Sequence, residues 1–164
     1  QRFFSTEYPR FLDRLNMARL MSRFSNNFIV VSDGWERLDE FLDFTKKKID
    51  DKNIFYETIR KTKINLYSNT HGLGMHNKIF EIMINGGFVA LPYSKRDNEL
   101  GGIEEFFNNG EHYQSFYPNR FDEFIDEWLN NDQRRLLVGK NAREAILKNH
   151  TWKTRIDKIL KDLK

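Results

Sequence analysis

The sequence contains no cysteine and no long apolar run. Without cysteine the chain has no disulfide, no thiolate metal site and no cysteine nucleophile, which is typical of proteins in a reducing compartment. No stretch approaches the roughly 18 apolar residues that a membrane helix needs, and the residues after Gln1 do not resemble a signal peptide. These absences predict a cytoplasmic protein without a transmembrane segment, and they leave peripheral association with a membrane open.

The charge balance is only modestly basic, with a formal net charge of +3 over 164 residues and a pI of about 9.0. A positive net charge of this size is compatible with three kinds of partner: nucleic acid, an anionic membrane surface or a phosphorylated small ligand. Neither a basic helix nor a base-stacking motif stands out along the chain. We therefore expect no nucleic-acid partner.

Apolar periodicity divides the chain into short alternating helices and strands. Helical spacing predicts helices over residues 9–24, 36–44, 54–61, 78–85, 103–107 and 121–129, and then a helical C-terminal region that breaks near Asn149 and restarts after a cap at Thr151. Short apolar runs predict strands over residues 28–31, 63–67, 88–91 and 112–116. This alternation indicates a Rossmann-like α/β domain with a doubly wound parallel sheet.

The loop after the second predicted strand is the richest candidate for a ligand site. In an open parallel sheet the ligand crevice lies beyond the carboxyl ends of the strands. This loop holds two glycines and leads into a helix whose first N–H groups and dipole favour an anion. It is neither the dinucleotide fingerprint nor a Walker A loop, so an ordinary connecting loop and a phosphate-binding loop both remain open. Its candidate residues are His71, Gly72, Leu73, Gly74, Met75, His76 and Asn77.

The helix that follows this loop is apolar on most sides, but Lys78, Glu81 and Asn85 form one polar stripe at i, i+3 and i+7. In one interpretation the stripe is solvated surface, with a Lys78–Glu81 pair worth roughly 0.2–0.5 kcal/mol. In the other, Lys78 meets a phosphate and Glu81 accepts hydrogen bonds from ribose hydroxyls. The residues alone slightly favour the surface interpretation.

Three segments, taken in order, resemble GT-B glycosyltransferases. Residues 78–91 resemble the family segment in which a basic residue, a Phe-Glu pair and a small-residue turn precede a strand. Residues 102–111 resemble the loop and helix before the next strand. The run His150-Thr151-Trp152-Lys153-Thr154-Arg155 resembles the His-Thr-aromatic-x-x-Arg signature of the spore-maturation-protein-like branch of the family 1 glycosyl transferases. The resemblance covers residues 28 to 163.

The resemblance implies a fold and a function. The fold is a Rossmann-like three-layer α/β/α sandwich, the C-terminal half of a GT-B fold, with residues 1–27 as a leading helix and residues 28–164 as the nucleotide-sugar-binding domain. The function is donor binding in a hexosyltransferase-type enzyme of carbohydrate biosynthesis that uses a UDP or GDP sugar. An N-terminal acceptor-binding domain of the same protein is then missing, and the isolated chain is expected to be inactive.

The resemblance also assigns roles to single residues. Glu81 binds the donor ribose, residues 72–77 and Lys78 approach the diphosphate, and Gly102 and Glu104 border the sugar. Relatives commonly carry Arg where Lys78 stands, and Lys offers a point charge rather than a bidentate fork. No residue is assigned a catalytic role.

We expect neither a bound metal nor a cofactor beyond the nucleotide-sugar substrate. His71 and His76 share a loop, but their spacing and neighbours do not match a zinc site, and the GT-B fold generally works without a metal ion. A flavodoxin-like or receiver-like interaction domain without transferase activity is the alternative function. Receivers need several Asp residues at strand ends, and only Asp33 is suitably placed here.

Overall fold

The computed structural model describes residues 7–46, 49–68 and 75–163. These residues form a mixed α/β structure that is mostly helical. The α-helices are α1 (Tyr8–Phe24), α2 (Lys52–Lys61), α3 (Asn77–Ile84), α4 (Phe121–Leu129), α5 (Asp132–Asn149) and α6 (Trp152–Asp162). The strands are β1 (Val30–Val31), β2 (Thr45–Lys46), β3 (Asn65–Leu66), β4 (Val89–Pro92) and β5 (Gln114–Phe116). Short 3₁₀ helices span Trp35–Arg37, Asp39–Phe44, Ile103–Glu105 and Pro118–Arg120.

Strand pairing among the described residues is parallel, as the sequence predicts, but the strands form two small sheets. In one sheet β1 pairs with β2. In the other the order is β3-β4-β5, with Leu66 opposite Ala90 and Leu91 opposite Ser115. Helix α3 connects β3 to β4, so these elements form a parallel strand-helix-strand unit.

The region between β1 and α2 differs from the sequence prediction. A single helix over residues 36–44 was expected, and the structure has two 3₁₀ helices there because Leu38 is extended, with φ −110° and ψ 103°. Strand β2 was not predicted. It has only two residues, Thr45 and Lys46, and no apolar run marks it in the sequence.

Strand β4 lies at the centre of the core, because its side chains alternate between two apolar clusters. Val89 and Leu91 pack with side chains of α2, α3 and α5, whereas Ala90, together with Phe88 directly before the strand, packs with side chains of α1, α4 and β5. This alternation has the period of two that a strand requires. Helices therefore cover both faces of β4, and each large apolar side chain buried in this way contributes roughly 1.5–3 kcal/mol.

The turn after α3 depends on two glycines with different roles. Gly86 adopts a left-handed conformation, with φ 77°, which side chains other than glycine rarely allow. Gly87 is required for space, because a Cβ atom there would lie 2.6 Å from Ile59 Cγ2. Gly139 of α5 meets the same turn, since its Cβ would lie 2.4 Å from the Gly86 carbonyl oxygen. Helix α5 therefore packs directly on the backbone of this turn.

Helix α6 begins at the predicted cap, where Thr151 Oγ1 accepts a hydrogen bond from Thr154 N at 3.1 Å. Its apolar side chains are largely exposed, led by Trp152 at 81% and Ile159 at 58%. None of the helices within the described ranges is both long and apolar enough to cross a membrane.

Candidate functional site

The predicted polar helix is α3, which begins at Asn77 and follows β3 in the chain. The predicted contacts at His71, Gly72, Leu73 and Gly74 lie outside the described residues. The remaining candidates of this segment are Met75, His76, Asn77, Lys78 and Glu81, directly before α3 and on its first turns. Met75 and His76 are half-buried, and Asn77 is exposed.

His76 caps α3 through its side chain. Its Nδ1 atom accepts a hydrogen bond from Lys78 N at 3.1 Å and lies 2.8 Å from the Tyr67 hydroxyl. Because Lys78 N–H can only donate, Nδ1 is the acceptor and the ring proton resides on Nε2. Ile79 N donates to the His76 carbonyl oxygen at 3.1 Å. The backbone N–H groups of Lys78 and Ile79 are therefore already hydrogen-bonded within the protein. Fewer N–H groups at the start of α3 are left to bind an anion than the sequence suggested.

Tyr67, directly after strand β3, is the side-chain partner of this cap, because its hydroxyl lies 2.8 Å from His76 Nδ1. Burial raises the pKa of Tyr67 above its ordinary value, while the nearby charges of Arg14 and Arg10 oppose that rise and Glu81 adds to it. Tyr67 is therefore neutral, and its hydroxyl donates to His76 Nδ1. Tyr67 is not marked in the sequence as a site residue, because no local pattern connects it to the cap of α3.

Lys78 and Glu81 form the ion pair that the surface interpretation predicted. Lys78 Nζ lies 2.6 Å from Glu81 Oε2, and the two side chains are 44% and 35% exposed. The Lys78 ammonium also lies over the ring of Phe55, 4.8 Å from its centroid. An exposed pair of this kind adds little to stability. Both charges remain accessible to a ligand at the start of α3.

Asn85, the third member of the polar stripe, serves the other end of the helix. Its Nδ2 atom donates to the Glu81 carbonyl oxygen at 2.8 Å, and its Oδ1 atom accepts from Arg60 at 3.1 Å. Asn85 therefore stabilises the C-terminal turn of α3, and only Lys78 and Glu81 of the stripe lie at the start of the helix.

The structure brings the second predicted segment against the first. Met75 N donates to the Gly101 carbonyl oxygen at 3.0 Å, so the loop before α3 lies beside the loop that holds Gly102 and Glu104. Gly102 is buried, and a Cβ there would lie 2.3 Å from the Asp97 carbonyl oxygen. Close packing alone therefore requires glycine at this position. The Glu104 side chain is exposed, and its contact with a sugar stays a prediction.

The third predicted segment joins the other two through aromatic contacts. The ring of Phe80 packs against Phe107 at 5.5 Å between centroids and against His150 at 5.8 Å, and the guanidinium of Arg155 lies 5.5 Å from its centroid. Burial lowers the pKa of His150, and the charge of Arg155 lowers it further. His150 is therefore a neutral packing residue at the junction of α5 and α6.

Two buried polar residues behind the second loop were not singled out in the sequence. Asp97 is 4% exposed and its Oδ2 atom accepts from Ser94 N at 2.9 Å. Burial raises the pKa of Asp97 above its ordinary value, with a smaller contribution from Glu104. The hydroxyl of Tyr113 is buried, and no hydrogen-bond partner for it lies within the described parts of the chain.

A basic cavity of about 500 Å³ lies at the opposite end of α3, and Arg60, Lys140 and Arg143 are among its lining residues. Arg143 Nε donates to the Ile84 carbonyl oxygen at 3.1 Å. Basic side chains at the C-terminus of a helix form hydrogen bonds with its last carbonyl groups and interact favourably with its dipole. The basic residues of this cavity therefore have a structural explanation that does not require a ligand.

The ranges 7–46, 49–68 and 75–163 contain no cluster of three or more His, Asp or Glu residues able to hold a metal ion.

Comparison with known proteins identifies the chain at the level of its family. No curated protein matches the sequence. A sequence profile described as glycosyl transferase-like matches residues 9–161, which includes α1, the Tyr67–Glu81 region and the aromatic cluster around Phe80. The chain therefore belongs to the glycosyl transferase-like family.

Proposed function

We propose that this chain is the domain of a hexosyltransferase-type glycosyltransferase that binds a nucleotide-diphosphate sugar, with UDP or GDP as the nucleotide. Membership of the family implies a sugar donor and suggests transferase activity. One observation supports the finer assignment: the Lys78 and Glu81 side chains are paired and accessible on the first turns of α3, beyond the carboxyl end of β3. This is where open parallel sheets bind nucleotides.

The two charges suit the two polar parts of a nucleotide. A carboxylate is an acceptor for both ribose hydroxyls, and an ammonium is a donor and counter-charge for phosphate. In the present arrangement the charges neutralise each other at 2.6 Å. We propose that the donor inserts between them, so that Glu81 turns to the ribose and Lys78 to the diphosphate.

The fold of the domain is proposed to be the Rossmann-like three-layer sandwich that forms the C-terminal half of a GT-B enzyme. Its support is β4, whose alternate side chains are buried under helices on both faces, within the parallel order β3-β4-β5. Residues 28–164 would form this domain and residues 1–27 would lead into it, although α1 contributes Met17 to the same core.

The chemical contribution of the domain is stabilisation of the leaving group. In glycosyl transfer the bond between the anomeric carbon and a diphosphate oxygen breaks, and an acceptor hydroxyl oxygen bonds to that carbon and loses its proton to a base. Cations near the diphosphate stabilise the negative charge that develops there. We propose that the acceptor and the base are held by an N-terminal domain of the same cytoplasmic protein, so that the isolated chain binds the donor without transferring the sugar.

Calorimetric titration of the chain with UDP, GDP and their sugar conjugates tests this function. Saturable binding of one nucleotide family, with the diphosphate bound more tightly than its nucleoside, is the expected result. Absence of binding by every nucleotide, in a sample whose circular dichroism shows a folded α/β protein, would overturn the proposal.

A further inference from the structure

Two exposed tyrosines lie side by side at the carboxyl edge of the three-stranded sheet. Tyr93 directly follows β4 and Tyr117 directly follows β5, and these strands are parallel neighbours. The centroids of the two rings are 4.9 Å apart, with an interplanar angle of 42°. Tyr93 N donates to the Phe116 carbonyl oxygen at 2.8 Å, which extends the pairing of the strands to this point. The sheet backbone therefore holds the two rings together.

Side-chain alternation along the strands places both rings on the face of the sheet that α3 covers. Leu91 of β4 packs in the cluster that contains side chains of α3, and Tyr93 is two residues later, so it points to the same face. Phe116 of β5 packs in the cluster on the opposite face. Tyr117 follows it with extended backbone, φ −91° and ψ 127°, and therefore points to the α3 face.

The loop that begins at Tyr93 contacts the segment before α3. Its Gly101 carbonyl oxygen accepts a hydrogen bond from Met75 N at 3.0 Å, and Met75 precedes α3 by two residues. The same loop continues to Gly102 and Glu104, which the family resemblance places beside the sugar. The tyrosine pair and the first turn of α3 therefore share one face and one edge of the sheet.

The order of groups in a nucleotide sugar decides which group reaches the tyrosines. Base, ribose, diphosphate and sugar follow one another along the molecule. In the proposed site Glu81 contacts the ribose and Lys78 the diphosphate, and Lys78 is nearly one turn closer to the start of α3. The sugar then extends past the start of the helix, toward Tyr93 and Tyr117, and the base extends in the opposite direction.

We infer that Tyr93 and Tyr117 bind the sugar ring of the donor by stacking against its apolar face. This inference rests on the proposed function. A pyranose ring has faces of C–H groups and a rim of hydroxyls, and tyrosine offers an apolar ring with a polar tip to such a ligand. The two side chains are 43% and 53% exposed, so both rings have accessible surface. Their mutual contact already restricts their rotation, which lowers the entropic cost of binding.

Titration of Tyr117→Ala with a nucleoside diphosphate and its sugar conjugate tests the inference. The conjugate is whichever of UDP-glucose, UDP-galactose, UDP-N-acetylglucosamine and GDP-mannose the wild type binds most tightly. Tyr117→Ala should bind this conjugate about threefold to tenfold more weakly than the wild type does, while its affinity for the diphosphate is unchanged.

Two control variants should bind both ligands as the wild type does. Tyr117→Phe keeps the aromatic ring and removes only the hydroxyl. Phe24→Ala removes another exposed aromatic ring, at the end of α1, the helix that packs on the opposite face of the sheet. A loss of conjugate affinity in Tyr117→Phe as large as that in Tyr117→Ala would assign the effect to the hydroxyl and contradict stacking.

Three other outcomes would overturn the inference and leave nucleotide binding intact. In the first, Tyr117→Ala binds the conjugate as tightly as Phe24→Ala. In the second, Tyr117→Ala loses affinity for the diphosphate and the conjugate alike, as expected if the ring contacts the base or only holds the loop in place. In the third, the wild type binds a diphosphate but none of the four conjugates. A wild type that binds no nucleotide is a separate result, and it overturns the proposed function itself.

Tyr93→Ala provides a second variant if circular dichroism shows that Tyr117→Ala does not fold. It removes the other ring of the pair and should show the same loss, confined to the conjugate. Unchanged affinity of Tyr93→Ala for the conjugate would exclude a sugar site formed by the two rings.

Discussion

The imidazole of His150 packs against the ring of Phe80, with 5.8 Å between the ring centroids and an interplanar angle of 63°. This contact joins the C-terminal signature to the Phe-Glu pair of α3, and Phe107 from the intervening segment packs against both rings. The three sequence segments that resemble glycosyltransferases are therefore neighbours in the fold. Phe80 immediately precedes Glu81, so this cluster fixes the part of α3 that carries the proposed ribose contact.

Replacing Glu81 tests the ribose contact. Glu81→Gln should weaken nucleotide binding by about tenfold to a hundredfold, because hydrogen bonds to a charged group are worth roughly 1.5–3 kcal/mol. Calorimetry with UDP measures the loss of affinity. The 2′-deoxy analogue of UDP shows whether the lost contact was to the ribose, because the variant should bind the two ligands with equal affinity. Glu57→Gln is the control, because Glu57 forms a similar exposed helix pair with Lys61 on α2. Equal effects of the two substitutions would exclude a specific role for Glu81.

Replacing Gly139 tests the contact between α5 and the turn after α3. Alanine is favoured over glycine in a helix by about 1 kcal/mol, yet a Cβ here would lie 2.4 Å from the Gly86 carbonyl oxygen. Gly139→Ala should therefore lower the free energy of unfolding by about 1–3 kcal/mol, measured by urea denaturation. The adjacent exposed substitution Lys140→Ala should change it by less than about 0.5 kcal/mol. An unchanged midpoint in Gly139→Ala would mean that α5 does not approach the turn this closely.

Removing the Tyr113 hydroxyl should not destabilise the protein. The ring is fully buried, and the hydroxyl has no hydrogen-bond partner within the residues that the structure describes. A buried polar group without a partner costs roughly 1–3 kcal/mol, so Tyr113→Phe should raise the free energy of unfolding by about 1 kcal/mol. A decrease of that size in urea denaturation would instead reveal a hydrogen bond to the hydroxyl in solution.

Stability should fall on mild acidification, in part through His150. Burial and Arg155 lower its pKa in the folded state, so the unfolded chain binds the proton more readily. This contribution is fully present above the unfolded pKa of about 6.5 and is lost as pH falls from there toward the folded pKa. Urea denaturation between pH 7.5 and pH 5.5 measures the slope. His150→Gln should show a shallower slope, and parallel curves for variant and wild type would contradict the assignment.

The sequence predicts elements whose packing is local, and it misses contacts that depend on distant segments. Helix α4 has the predicted bounds because Phe121, Phe124, Ile125 and Trp128 bury one face at helical spacing. Strand β2 escaped prediction because Thr45 and Lys46 pair with β1 through their backbone, without an apolar pattern.

The same distinction applies to the candidate site. The ion pair of Lys78 and Glu81 lies within one helix and was predicted from its spacing, and it is confirmed. The hydrogen bond between Tyr67 and His76 joins the end of β3 to the cap of α3, and nothing in the local sequence marks it. The ligand roles of Lys78, Glu81, Gly102 and Glu104 stay predictions that binding experiments must test.

Mapping of amide chemical shifts in the ¹⁵N-labelled protein, during titration with the nucleoside diphosphate that binds, tests the location of the site most directly. The largest shifts should occur at Tyr67 and His76 and along the first turns of α3, from Lys78 to Glu81. Resonances of exposed α6 residues such as Lys158 should not move. Shifts confined to the basic cavity around Arg60, Lys140 and Arg143, or no shifts at saturating nucleotide, would contradict a donor site at the start of α3.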